Sequence, residues 1–340
     1  MYKESLKEII SYPYQLVHAF RKELFNREIF KQKRLVVPVI SVGNISFGGT
    51  GKTPFTIYLA KALIEKYQKN VCILTRAYKS KIPKRKIPLY IKGEEAKKYL
   101  KDKPKYFIGD EPILILENFI NDKKFSMAIG SKRYEAAQKA LKKNPKIDFF
   151  ILDDGMQHLD LYKDFEIALV NVNETGFYRE SPEALEKVNQ VIYSKVDEEW
   201  LSKPENKDKV SISFKLDFDK FIDPDKKILA ISGLADNESF FNMLKKRLNS
   251  LNYKLKSDED FETVALPDHY SFSQTDIEHF IKKNIEFNLI CTAKDYVKIP
   301  EAYKEYFIVA ELELELHNEG KLYENLEIKN CPLKMHIEEK

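Results

Sequence analysis

Apolar residues gather along this chain in two ways. Some form short unbroken runs between polar or glycine-rich stretches, and others recur every three or four positions. The runs at residues 36–42, 71–75, 125–129, 147–152, 165–170 and 190–193 predict buried strands, because a strand covered on both faces shows no polar alternation. The periodic stretches 55–67 and 113–120, with an alanine-rich stretch after Arg133, predict helices between them. Alternating strands and helices predict a doubly wound sheet. The polar segment 198–208 reads as a loop near a boundary, and 210–214 as a connecting strand. A second alternation follows, with strands at 228–232, 287–292 and 306–309 and helices at 239–248 and 273–283. Residues 79–92, basic and proline-containing, read as a solvated loop.

The start of the chain is patterned differently. Over residues 4–28, Leu6, Ile9, Ile10, Leu16, Val17, Phe20 and Leu24 fall at helical spacing, with Pro13 expected to kink or split the helix. Lys3, Lys7, Arg21, Lys22 and Arg27 flank the apolar face, while Glu4, Glu8, Glu23 and Glu28 dilute the positive charge. A basic amphipathic helix of this kind lies in a membrane interface or packs on its own domain, and the residues alone leave both open.

Composition narrows the class. The 340 residues are 43% hydrophobic and 32% charged, a soluble globular balance with room for more than one core. A net charge of only +4 gives no reason to expect a nucleic-acid partner. Cys72, Cys291 and Cys331 are scattered without zinc or disulfide spacing, which points to a reducing compartment. No secretory signal and no apolar run of spanning length is expected.

The chemistry concentrates after the first strand, in Asn44-Ile45-Ser46-Phe47-Gly48-Gly49-Thr50-Gly51-Lys52-Thr53-Pro54. A strand, a glycine-rich turn and a helix start form a phosphate cradle: glycines let successive N–H groups face one anion, and the helix adds free donors and its positive end. Ser46, Phe47, Gly48, Gly49, Thr50 and Gly51 would wrap the phosphates of a nucleoside triphosphate. Lys52 would reach the β- and γ-phosphates, and Thr53 would hold Mg²⁺. Ser46 occupies a position where the usual pattern has glycine. The fold expected is therefore α/β: a P-loop doubly wound domain over residues 36–215, a second, smaller α/β domain over 216–340, and an amphipathic helix over 1–35.

Further candidates follow predicted strands or open predicted helices, where open α/β sheets bind ligands. Asp153-Asp154, after an apolar run, resembles a Walker B pair, one member of which helps hold Mg²⁺. A helix cap is the plainer alternative. Asp110 and His269 are candidates for proton handling, since transfer to an alcohol needs a base. Either is equally compatible with a cap or a structural group, as is His158.

These segments together resemble the tetraacyldisaccharide 4′-kinase family of lipid A biosynthesis. Ser41-Val42-Gly43-Asn44 before the P-loop, Gly109-Asp110-Glu111-Pro112, Asp153-Asp154-Gly155-Met156-Gln157-His158, Asp268-His269-Tyr270-Ser271-Phe272 and Thr292-Ala293-Lys294-Asp295 match its motifs in order. In that family, too, the first P-loop position is Ser or Thr. The resemblance implies transfer of the γ-phosphate of ATP, with Mg²⁺, to the 4′-hydroxyl of an acylated glucosamine disaccharide 1-phosphate. It implies a peripheral protein on the cytoplasmic face of the bacterial inner membrane, a monomer, with a cleft that closes on nucleotide. By matching positions it makes Asp110 the base and His269 its orienter. Asn44, Arg76, Asp153, Asp154, Gln157, His158 and Arg179 would line the site. Three segments depart from the family. Arg76-Ala77-Tyr78-Lys79 replaces Arg-Gly-Tyr-Gly, and Gly130-Ser131-Lys132-Arg133 replaces Gly-x-Asp-Arg. Tyr178-Arg179-Glu180-Ser181 follows a shortened glycine-rich segment. The alternative is a membrane-associated ATPase or GTPase switch without a lipid acceptor. Thr292-Ala293-Lys294-Asp295 would be its base-reading motif, lacking the Asn.

Overall fold

The computed structural model describes residues 16–328 apart from 18, 26, 47–48, 77–79, 81, 84–86, 102–107, 174–177, 235, 254, 256–257 and 269. The chain divides into two compact units, the first of residues up to Ser213 with those from Leu316 on, the second Phe214–Glu315.

In the first unit the strands are β1 (Val39–Gly43), β2 (Val71–Thr75), β3 (Leu89–Lys92), β4 (Phe125–Ile129), β5 (Phe149–Asp153), β6 (Phe165–Asn171), β7 (Gln190–Ser194) and the start of β8 (Ser211–Phe218). They lie in the order β3-β4-β2-β5-β1-β6-β7-β8. All pairs are parallel except β3 with β4. β3 emerges from the stretch read as a solvated loop. Only Ile91 of its four residues is fully covered, and an edge strand of that kind leaves little apolar signal.

β1 lies between β5 and β6, with Val42 opposite both Asp153 and Ile167. The chain crosses from β1 past β5 to β2, then returns from β5 past β1 to β6, so the order reverses at β1. Such a reversal opens a crevice at the carboxyl ends of the strands. Helix Lys52–Glu65 buries Phe55, Leu59, Ala60 and Leu63. Helix Arg133–Lys143 packs Ala136, Ala137 and Ala140 with Cys72, Leu74, Phe150 and Leu152. The small side chains let that helix approach the sheet closely.

The second unit has β9 (Lys227–Ser232), β10 (Phe261–Ala265), β11 (Phe287–Thr292) and β12 (Phe307–His317), ordered β10-β9-β11-β12 and parallel throughout. Helix Asn237–Ser250 packs Phe240, Phe241, Leu244 and Leu248 into one core, and helix Gln274–Lys283 places Ile277 and Phe280 in another. Ser273 and Asp276 cap the latter reciprocally.

Where the sequence carries the second domain to residue 340, the chain instead re-enters the first unit along β12. Helix Glu319–Ile328 then docks there. Tyr58 Oη donates to Glu319 Oε1 at 2.8 Å, Lys66 pairs with the same carboxylate, and the Tyr67 and Tyr323 rings lie 5.2 Å apart. Leu322 and Leu326, one turn apart, are fully buried, so this helix belongs to the first core.

Of the N-terminal helix, residues 16–25 are helical with 18 aside. Residues 1–15, including Pro13, lie outside the described residues. Leu16, Val17 and Phe20 are 54, 63 and 66% exposed. No helix among the described residues is long and apolar enough to cross a membrane.

Candidate functional site

The site is built on the carboxyl ends of β1 and β5. β1 leaves the sheet at Gly43, where a Cβ would come within 2.5 Å of Met156 Cβ, so only glycine lets the strand pass beneath the 153–156 turn. Asn44 follows, fully buried. Its Nδ2 donates to Ser46 Oγ at 3.2 Å, and its Oδ1 accepts from Lys52 Nζ at 3.0 Å. Ser46 also forms an antiparallel bridge with Tyr178. A serine at this P-loop position thus gives the loop a side-chain anchor that glycine lacks.

Gly51, at φ 81°, takes the left-handed turn that starts the helix at Lys52. Helix Lys52–Glu65 carries no acidic residue in its first turn and no side-chain cap, so its free N–H groups and positive end are left for an anion. Space is open around Gly49, and Thr50 Oγ1 is buried without a hydrogen-bond partner. A loop with open room, an orphaned hydroxyl and uncapped helix donors fits a phosphate chain. Phe47 and Gly48 lie outside the described residues.

Asp153 ends β5, buried. Thr56 Oγ1 donates to its Oδ1 at 3.3 Å and Thr75 Oγ1 to its Oδ2 at 3.4 Å. Burial, with the charges of Glu111 and Asp154, pushes its carboxyl up to about 7. Asp154 adopts φ 50° and turns its carboxylate toward cations, with Arg179 Nη1 at 3.1 and 3.3 Å from its two oxygens and Lys52 Nζ at 3.6 Å. Burial alone would raise it, but Lys52, Arg179 and Arg76 outweigh burial and hold it below the usual carboxylate range. The pair is therefore split, one carboxyl ready to hold a proton and its neighbour ionised. With the Thr53 hydroxyl, these are hard oxygen donors of the kind Mg²⁺ takes.

Gln157 ties the parts together. Its Nε2 donates to Asn44 O and to Glu180 Oε1, both at 2.9 Å, and its Oε1 accepts from Arg179 at 3.4 Å. Glu180 also accepts from Lys22 Nζ at 3.1 Å. Asp110 opens helix Asp110–Glu117 behind Gly109 at φ 110°, and is buried. The charge of the adjacent Glu111 is felt at Asp153. Arg76, exposed after β2, acts electrostatically on Asp154.

His158 stands one turn beyond the carboxylates. Burial, then Arg133, lowers its imidazole to about 4, so it is neutral near pH 7. Motif reading assigned no role to Glu180, Glu111, Lys22, Thr56 and Thr75, and Arg133 entered it only as the end of the Gly130–Arg133 segment. Among the described residues Arg133 is the largest fully buried side chain, and its Nε meets no hydrogen-bond partner. The signals for it were its place after a strand and its match to the last residue of the family's Gly-x-Asp-Arg segment.

In the second unit, His269 lies outside the described residues, but both of its neighbours are held. Lys294 Nζ pairs with Asp268 Oδ1 at 2.9 Å, and Tyr270 Oη donates to Asp276 Oδ2 at 3.0 Å. Asp295 is fully committed to local structure. Its Oδ2 accepts from Thr292 Oγ1 at 2.7 Å and from Gly233 N at 2.8 Å, and Lys298 Nζ lies 3.0 Å from its Oδ1. Thr292-Ala293-Lys294-Asp295 is thus a helix cap and clamp, not a base-reading motif.

The model of the family Tetraacyldisaccharide-1-P 4′-kinase matches residues 4–330. A Tetraacyldisaccharide 4′-kinase of Aquifex aeolicus is 33% identical over 334 residues, covering 92% of this chain and 94% of that protein. One of Flavobacterium johnsoniae is 29% identical, covering 85% of each. Among solved structures, the "apo" form LpxK from Aquifex aeolicus in complex with ATP superposes with a TM-score of 0.67 at 27% identity, over 97% of this chain and 99% of that one.

Proposed function

The chain belongs to the tetraacyldisaccharide-1-P 4′-kinase family, and from that premise we propose how its own residues carry the transfer of the γ-phosphate of ATP to the 4′-hydroxyl of an acylated glucosamine disaccharide 1-phosphate. The observation that carries the assignment is the placing of Lys52. Its ammonium stands at the start of an uncapped helix, between Asn44 Oδ1 and the Asp154 carboxylate.

Lys52 meets charge on the transferred phosphoryl group, and the 49–53 backbone donors hold the remaining phosphate oxygens. Thr53 and the carboxylates of Asp153 and Asp154 would hold Mg²⁺, which when bound neutralises the β- and γ-phosphate oxygens. Asp153 must lose its proton to serve there, whereas Asp154 is already ionised. Arg179 keeps the Asp154 carboxylate fixed, and Arg76 adds positive charge beside it. Asp110 accepts the proton of the attacking hydroxyl on a carboxylate oxygen, and His269 assists it.

The exposed side chains of Leu16, Val17 and Phe20, with Arg21 and Arg27 beside them, support attachment of a monomer to the cytoplasmic face of the inner membrane. The reading is tested by following phosphate from labelled ATP into purified acceptors of varied acylation. A wild-type protein that hydrolyses ATP but labels no acceptor would overturn it.

A further inference from the structure

The N-terminal helix faces two ways. Taking about 100° per residue, Leu16 and Val17 lie within about 60° of Phe20, and Lys22 lies roughly 160° from it. Phe20 is exposed, while the Lys22 side chain is only 30% exposed and points inward to Glu180. Phe25 borders a cavity of about 180 Å³, and the Arg21–Asp160 pair is exposed on both partners at 3.7 Å, so it contributes little.

From Lys22 a continuous path of hydrogen bonds runs to the P-loop. Lys22 Nζ donates to Glu180 Oε2 at 3.1 Å. Glu180 Oε1 accepts from Gln157 Nε2 at 2.9 Å, and the same Nε2 donates to Asn44 O at 2.9 Å. Asn44 Oδ1 then accepts from Lys52 Nζ at 3.0 Å. Glu180 is 5% exposed, so its charge depends on partners and not on water. Gln157 is shared between Asn44, Glu180 and Arg179, so a shift of the Glu180 carboxylate moves an amide that also touches the partner of Asp154.

We propose that Lys22 is a positioning residue, through which the seating of the N-terminal helix sets the Glu180–Gln157–Asn44 path and hence the placement of Lys52. The outward apolar face and the inward cation make one helix answer to both surfaces. Its seating is therefore read at the phosphate site, with no contact between Lys22 and substrate. The proposal rests on the kinase reading above.

The test compares wild type, Lys22→Met, Lys22→Arg, Glu180→Gln and Lys22→Met in Glu180→Gln. It uses the full chain and acceptor in neutral-detergent micelles, where the interface carries no charge. Circular dichroism first establishes that each variant folds. Lys22→Met is expected to lower kcat by about 3- to 30-fold, the range for substitutions along a coupled network. The KM for acceptor should stay within about twofold, and Lys22→Arg should restore kcat to within about twofold. In Glu180→Gln the buried charge is gone, so Lys22→Met should change kcat by less than about twofold. Affinity for a fluorescent ATP analogue, read on all five proteins, should follow the same pattern. Wild-type kcat in Lys22→Met, a loss in KM alone, failure of Lys22→Arg to restore, or equal losses in both Glu180 backgrounds would each overturn the proposal. Absence of transfer in the wild type would overturn the kinase reading instead.

Discussion

Lys52 Nζ donates a 3.0 Å hydrogen bond to Asn44 Oδ1, joining the residue that leaves β1 to the first residue of the helix that follows. The same ammonium lies 3.6 Å from Asp154 Oδ1. Lys52 is thus held from two sides. Lys52→Ala should lower kcat by about 10²–10³, the worth of one preorganised donor to developing charge. Asn44→Ala keeps the cation but leaves it to Asp154 alone. About a tenfold loss is expected, of the order of one hydrogen bond to a charged group. Steady-state kinetics on both variants check this, and an Asn44→Ala enzyme as fast as wild type would remove Asn44 from the arrangement.

Two of the perturbed groups beside the site, His158 and Asp153, make opposite predictions for stability. The folded His158 value of about 4 lies below the ordinary imidazole value of 6.5. The unfolded chain therefore takes up the proton first, and stability present above about 6.5 is lost as pH falls toward 4. The folded Asp153 value of about 7 lies above the ordinary aspartate value of 3.8. Here the unfolded chain releases the proton first, and stability present below about 4 is lost as pH rises toward 7. Urea midpoints measured across that window should rise with pH in Asp153→Asn and fall with pH in His158→Gln. The wild-type profile should be flatter than either.

How much of this was legible in the sequence depends on how many faces an element buries. The strands at 71–75, 125–129 and 287–292 emerge with the expected ends, because all of their residues are buried and the apolar run is unbroken. β10 was not seen. Glu262 and Thr263 interrupt a strand whose residues are half covered at the sheet margin. Helix Glu319–Ile328 was hidden for a related reason: its apolar face is narrow, and its destination is set by Tyr58 and Lys66, far away in sequence. The same division runs through the site. Asn44, Lys52, Asp154, Gln157 and Arg179 stood in motifs, and the structure brings them together. Glu180 looked like a mere neighbour of Arg179. Its burial between Lys22 and Gln157 is tertiary, with one partner 158 residues away.

Membrane attachment should depend on the outward face of the first helix. Val17→Asp with Phe20→Asp places two charges where exposed apolar side chains now stand, each costly to bring into a lipid interface. The doubly substituted protein should no longer float with anionic vesicles, whereas the wild type should. Undiminished flotation of the variant would assign attachment to another surface.

The loop around His269 is held on both sides, and the two holds differ in strength. The Lys294–Asp268 contact joins two opposite charges at 2.9 Å, with Lys294 18% exposed. The Tyr270–Asp276 bond is part-buried but has a neutral donor. Lys294→Met should therefore loosen the loop more than Tyr270→Phe. If His269 serves catalysis through its orientation, Lys294→Met lowers kcat by about tenfold with little change in ATP affinity, a cost typical of lost support for a functional group. Equal kinetics in Lys294→Met and wild type would detach the clamp from the reaction.

The proposed base gives the sharpest kinetic test. Asp110 is buried at the start of its helix. A carboxylate accepts a proton from an alcohol only as that alcohol attacks, so its contribution appears in kcat and not in nucleotide binding. Asp110→Ala should lower kcat by about 10²–10⁴, the usual worth of a positioned base. Asp110→Asn, which keeps shape and removes the acceptor charge, should be nearly as slow. His269→Ala should cost less if the imidazole only assists the carboxylate. In the doubly substituted enzyme the loss should barely exceed that of Asp110→Ala, because an assistant contributes nothing once the group it assists is gone. ATP affinity should stay within about threefold in all four proteins, since none of the changes touches the phosphate cradle. Strictly additive losses would mean that the two residues act independently, and an Asp110→Asn enzyme near wild-type speed would mean that the attacking hydroxyl gives up its proton elsewhere.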